Sequence, residues 1–132
     1  YNLYDRAVFE KELQPLCVQE EVGVINFYAL AAGFLTGKYR TAEDANKSAR
    51  GKATVGKYLN ERGLKILAAL DEAERATGKP ASQIAVAWVM GRPGVTSPIA
   101  SATSLAQLQG LVEAARWALP AEVRAALDAA SV

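Results

Sequence analysis

The chain has 132 residues, 51% hydrophobic and 22% charged, with a net charge of +1. This is one domain's length of globular composition, which excludes intrinsic disorder and any overall electrostatic pull toward nucleic acid or an anionic membrane. One cysteine and no histidine exclude an internal disulfide, a thiolate or imidazole metal centre, and a histidine-based triad built from this chain alone.

The periodicity predicts a helix over residues 6–21, with Val8, Phe9, Leu13, Leu16 and Cys17 on one inward stripe. Pro15 inside it predicts a kink or a break. The β-branched and aromatic run 22–28 predicts a buried strand. Residues 29–60 hold Gly33, Gly37, Gly51 and Gly56 without a sustained period, and read as a long loop with at most one short helix. From Lys38 to Arg62 there are seven cations against three anions. That balance suits an anion-binding loop or a solvated surface equally well.

Residues 61–77 predict an amphipathic helix with Leu64, Ile66, Leu67, Leu70 and Ala73 inward, stopped by Gly78. Pro80 at the first helical position starts another helix to residue 91, apolar nearly all round and therefore buried. Val95–Ile99 predicts a second strand, with Pro98 at its end. The pair Ser104 and Gln107 reads as a capping box opening a helix to about Trp117, with Leu105, Leu108, Val112 and Ala115 inward. A last helix, 120–130, turns Val123, Ala126 and Leu127 inward. Strands separated by helices predict parallel packing. Two parallel strands need neighbours on both edges and cover on both faces, more than this chain supplies.

Four segments in order resemble the aldo-keto reductase superfamily, closest to the bacterial branch that includes the potassium-channel β subunits. They are YNLYDR at 1–6, FYALAAGFLTGKYR at 27–40, SQIAVAWVM at 82–90 and PIASATSLAQL at 98–108. The fold class this resemblance implies is α/β: the C-terminal half of a (β/α)8 TIM barrel, helix-rich, with two short parallel-type strands. Residues 1–132 would be strands seven and eight with their helices. The implied cofactor is NADPH. Phe27 falls where an aromatic ring stacks on the nicotinamide. Tyr28, Ala29, Leu30, Ala31 and Gly33 match the loop whose backbone runs along the pyrophosphate. Lys38 and Arg50 match phosphate-side cations. Ser101, Thr103 and Gln107 match the helix N-terminus that receives the adenosine 2′-phosphate. From the residues alone, Phe27 also suits strand core, Lys38 and Arg50 suit solvent, and Gln107 suits a helix cap. The chain departs from the pattern at Tyr28-Ala29, where Ser-Pro is usual, at Ser101 for glycine, and at Gly110 and Leu111 for Glu and Asn.

The resemblance places the catalytic Asp, Tyr, Lys and His in the first half of the barrel, so no catalytic residue is expected here. A whole barrel takes roughly 250 residues. The chain begins at Tyr1 rather than Met, as a processed protein or a fragment would. The expected parent is a cytoplasmic oxidoreductase that reduces a small aldehyde or ketone with NADPH; the isolated piece is expected to be inactive. Its expected macromolecular partner is the missing N-terminal half or a second copy, with no nucleic acid and no membrane. Two other readings stand: a non-catalytic NADPH-sensing or regulatory module, and a helical interaction domain without a ligand.

Overall fold

Pro15 does not break the first helix. In the computed structural model, which describes residues 1–132, a π-helical turn at Phe9–Leu13 runs into α1 (Gln14–Gln19), with Pro15 in the first turn of α1. The Gln14 N–H bonds back five residues to Phe9. A widened turn accommodates a residue that has no N–H and would press on the preceding turn of a regular α-helix.

The chain then forms β1 (Val24–Asn26), two 3₁₀ segments (Ala31–Thr36 and Ala42–Lys47), α2 (Gly51–Tyr58), α3 (Glu61–Thr77), α4 (Ala81–Met90), β2 (Val95–Pro98), α5 (Leu105–Ala115) and α6 (Ala121–Ala130). β1 and β2 pair in parallel, Val24 with Val95 and Asn26 with Pro98, with a register shift after Val24. The ladder is carried one residue further by Ile99 N–H to Asn26 O, 2.7 Å.

Residues 29–60 hold three short helical pieces rather than the single one expected. A local cap and longer-range contacts hold them. Thr41 and Asp44 form a reciprocal capping box on the second 3₁₀ segment. Arg40 grips Asp71 of α3 with two bonds of 2.8 and 2.6 Å. Tyr39 and Tyr58 are buried and anchor the segment to the core.

α3 and its left-handed Gly78 stop follow the sequence reading, with Asn60 as N-cap, although Leu64 is exposed. Pro80 is the N-cap of α4 rather than its first residue. Its carbonyl accepts from Ile84 N, while the Glu74 side chain of α3 accepts from Ala81 N. As expected, α4 is buried almost all round.

The core sits among the helices. Leu3, Phe34, Leu35, Ile66, Leu67, Leu70, Ile84, Val89 and Leu127 are fully buried there. Two predicted inward stripes are instead exposed. Val8 is 71% accessible, and Leu13 and Leu16 are also open, while Cys17 is half-buried. Phe9 of the same stripe is half-buried, its ring 4.5 Å from that of Tyr1, while Val8, Leu13 and Leu16 stay open. α5 exposes Leu105 at 70%, together with Leu108, Val112 and Ala115. It packs on α4 through Ala114, with Gly110 close to the Gln83 amide, because two helices approach closely only along small residues. Ala126 is likewise exposed, and Ala130 joins Val123 and Leu127 on the buried face of α6.

Trp88 is fully buried and joins three parts of the chain. Its Nε1–H donates to Asp128 of α6 at 2.9 Å. The guanidiniums of Arg6 and Arg92 lie 5.1 and 4.7 Å from its ring centroid. Glu10 bonds Arg6 at 3.0 Å and Arg92 at 3.3 Å, and accepts the Tyr1 hydroxyl at 2.6 Å. Asp128 pairs with Arg92 at 3.1 Å and Arg6 at 3.4 Å. Burial opposes ionisation of Glu10. The hydrogen bonds from Arg6 and Tyr1, with the charges of Arg6 and Arg92, outweigh it and hold the carboxyl below its usual range.

Replacing Trp88 by Leu should lower the urea-denaturation stability by about 3 kcal/mol or more. Arg75→Ala, which breaks an exposed pair with Glu72, should change it by no more than about 0.5 kcal/mol. A depressed folded-state pKa contributes stability above the ordinary glutamate value of about 4.3 and loses it as the pH falls toward the folded value. Melting temperature should therefore fall on acidification below that point, and Glu10→Gln should flatten this part of the profile.

Candidate cofactor site

Because β1 and β2 are parallel, the loops that follow both strands leave from the same edge. In sheets of this kind the carboxyl edge is where ligands bind. One wall of the site is a turn of unusual backbone. Tyr28, Ala31 and Ala32 have φ of 61°, 49° and 54°, and Gly33 has 89°. A left-handed residue with a Cβ costs about 1–2 kcal/mol, so the surroundings must enforce it. They do so from below, where Ala29, Ala31, Phe34 and Leu35 are buried. They also do so at Tyr28 O, which accepts from Ala31 N at 2.8 Å and Asn2 Nδ2 at 3.0 Å. The N–H groups of Tyr28, Ala29 and Leu30 donate to no acceptor in the chain. Consecutive free amides in a left-handed turn suit an anion.

Beside the turn lies an open cleft of about 600 Å³, into which Phe27, Tyr28, Arg50, Asp5, Lys57 and Tyr58 project. Phe27 is 64% exposed, so it is not the strand-core residue that its sequence position also allowed. The carbonyl of Arg50, which precedes α2, accepts from Thr54 N and Oγ1, but its guanidinium makes no hydrogen bond or ion pair within the chain. Its charge is therefore free to meet a ligand.

The other candidates fall elsewhere. Lys38 is exposed outside the cleft, with its ammonium 5.0 Å from the Tyr39 ring centroid. A Cβ on Gly33 would stand 3.3 Å from that ammonium, so the two residues meet at the outer side of the turn. Ser101, Thr103 and Gln107 are exposed at the start of α5 and do not line the cleft. Ser104 caps α5 by accepting from Gln107 N at 3.2 Å. The Gln107 side-chain oxygen accepts from Thr103 N at 2.8 Å and Thr103 Oγ1 at 3.0 Å, not from the Ser104 backbone as a regular capping box would have it.

Sequence reasoning did not single out Asp5, Lys57 or Tyr58. Tyr58 donates to Asp5 at 2.8 Å, and Lys57 reaches Asp5 at 3.1 Å and the Tyr58 hydroxyl at 3.0 Å. Burial would raise the Asp5 pKa, but hydrogen bonds from Tyr58, Lys57 and Asn2 hold it below the usual range. Burial pushes the Tyr58 phenol up. The only available sequence signals were Asp5 inside YNLYDR and Lys57 inside the basic segment. No group of three potential ligands could hold a metal ion, and no helix is long and apolar enough to cross a membrane.

The parallel strand pair and its flanking helices correspond to part of a (β/α)8 barrel, the fold of the solved structures on which this chain superposes. The chain belongs to the aldo/keto reductase family, whose sequence model matches residues 1–132. It is 34% identical over 119 residues to the L-glyceraldehyde 3-phosphate reductase of Escherichia coli K12, covering 86% of this chain and 34% of the relative. It is also 34% identical over 119 residues to a probable voltage-gated potassium channel β subunit of Arabidopsis thaliana, covering 83% of this chain and 34% of that protein. The chain thus spans about a third of the length of these relatives. Among solved structures it superposes on a glycerol dehydrogenase from Gluconobacter oxydans with a TM-score of 0.79 at 25% identity, over 98% of this chain and 40% of that one. A thermostable aldo-keto reductase shares the fold, with a TM-score of 0.69 at 19% identity over 98% of this chain and 37% of that one.

Gly33→Ala should lower stability by about 1–2 kcal/mol, because alanine takes the left-handed region at that cost, and should displace Lys38. Ala32→Gly relieves the same penalty, so it should be neutral or slightly stabilising despite the added chain entropy. Thermal melts of the two variants check this opposite response.

Proposed function

We propose that these residues are the cofactor-binding portion of an NADP(H)-dependent oxidoreductase that reduces a small aldehyde or ketone. The observation that carries the reading is the turn at residues 28–30, with three free N–H groups, next to a cleft lined by Tyr28, exposed Phe27 and Arg50, whose guanidinium has no partner in the chain. That combination suits a ligand with a flat ring at one end and phosphate in the middle. Phe27 would meet the nicotinamide face, and the turn and Arg50 would hold phosphate oxygens. Lys38, Ser101, Thr103 and Gln107 would stand toward the phosphates farther out. When bound, NADPH supplies a hydride. This chain's contribution is to orient the ring and neutralise the phosphates.

The residue that protonates the carbonyl oxygen would come from outside these residues, and the protein would work in the cytoplasm. The exposed apolar side chains of α1, β1 and α5 would be covered by the rest of a barrel, with a second copy as the alternative. The name of the Escherichia coli relative supports carbonyl reduction. The channel-subunit relative supports a second reading, in which the same site senses NADPH without turnover.

The test is an NADPH titration of the chain followed by fluorescence. Binding should be saturable. Phe27→Ala and Arg50→Ala should each weaken it about tenfold or more, equivalent to about 1.4 kcal/mol, while the chain alone consumes no NADPH with aldehydes. Absence of binding by the wild-type chain would sink the cofactor reading, and turnover by the chain alone would sink the division of labour.

A further inference from the structure

Asn2 is fully buried, and both ends of its side-chain amide are used. Oδ1 accepts from the backbone N–H groups of Tyr4 and Asp5 at 2.8 and 2.9 Å. Nδ2 donates to Tyr28 O at 3.0 Å and to the Asp5 carboxylate at 3.2 Å. That carboxylate in turn takes the Tyr58 hydroxyl and the Lys57 ammonium of α2. One unbroken hydrogen-bonded path therefore runs from the left-handed turn, through the first residues of the chain, to the far wall of the cleft. Tyr58 is fixed independently by its ring, which stacks on Phe34 at 5.5 Å and meets Tyr4 edge-on at 5.0 Å. The path thus ends on a rigid element rather than on a mobile side chain.

We infer that Asn2 is a positioning residue. It holds Tyr28 left-handed so that the amides of residues 28–30 stay free of partners within the chain, and through Asp5 it locks that turn to Lys57 and Tyr58. Asn2 does not line the cleft; it acts through the carbonyl of Tyr28. No charged side chain replaces it well: an aspartate would lose both donors and face the Asp5 carboxylate. Asp5 performs a second task by pairing with the ammonium of Lys57 on α2 at 3.1 Å, in the cleft that Arg50 also lines. The consequence for ligand affinity rests on the cofactor reading above. The geometric claim stands apart from it.

The experiment records backbone amide shifts and hydrogen exchange of the 132-residue chain, alongside NADPH titrations. In Asn2→Ala, the amides of Tyr28, Ala29, Leu30, Lys57 and Tyr58 should shift together. Exchange at Ala31, whose N–H bonds Tyr28 O, should accelerate tenfold or more, while the middle of α3 stays unmoved. NADPH affinity should drop about tenfold. Adding Tyr28→Gly should return the Ala29 and Leu30 amides toward their original positions and recover part of the affinity, because glycine enters the left-handed region without a steric cost. A merely structural asparagine would not be rescued in this way. Unmoved turn amides in Asn2→Ala, or no rescue by Tyr28→Gly, would overturn the inference. If Asn2→Ala does not fold, Asp5→Asn breaks the same path one step further on and preserves volume. Joint shifts in the turn and α2 then support the inference, and shifts confined to α2 overturn it. Joint shifts in a chain that does not bind NADPH would sink the cofactor reading and leave the positioning role standing.

Discussion

The indole of Trp88 is the point on which the arrangement of this chain depends. Two guanidiniums lie over its ring, and its N–H is held by Asp128. Two half-buried like charges so close together persist only when matched, and Glu10 and Asp128 supply the match. Arg6 and Glu10 belong to the first segment, Arg92 follows α4, and Asp128 is in α6. The cluster therefore draws three stretches, distant in sequence, onto the helical core. It also sets where residues 1–6 run, because Arg6 reaches both Ser131 Oγ and the Asp128 carbonyl.

That placement matters for the site. With residues 1–6 pinned beside β1, Asn2 meets Tyr28 and Asp5 meets α2. Asn26 of β1 contributes by donating to Tyr1 O at 2.8 Å. The strained turn is thus supported from the buried side by alanines and Phe34, and from the flank by an amide that its neighbours hold rigid. The cost of left-handed alanine and tyrosine is spread over a packed environment, which is the usual condition for strain to persist at a ligand edge.

The unburied stripes of α1 and α5 belong to the same picture. Both are patterned as buried surface, yet nothing in these residues covers them. On the proposed reading, the rest of a barrel would cover them. In such a fold each helix packs on strands that are neighbours in space, and this chain carries two strands.

The sequence by itself determined the helices α3, α4 and α6, the Gly78 stop, the Ser104 cap and the places of the two strands, because these depend on local periodicity and capping chemistry; the burial expected of the first strand is not seen, since Val22, Ile25 and Phe27 are exposed. Its motifs also identified the family and marked Phe27, Tyr28 and Arg50, which the fold brings to one cleft. Only the tertiary structure decided which side of α5 is buried, since Gly110 and Ala114 win the contact with α4 through size rather than hydrophobicity. Only it revealed the π-turn that admits Pro15, and the left-handed path through Tyr28, Ala31 and Ala32, which those residue types do not favour. The Asn2, Asp5 and Tyr58 path was equally hidden. Its partners are separated by 26 and 53 residues, and no short-range pattern records a hydrogen bond that exists only after the chain has folded back on itself.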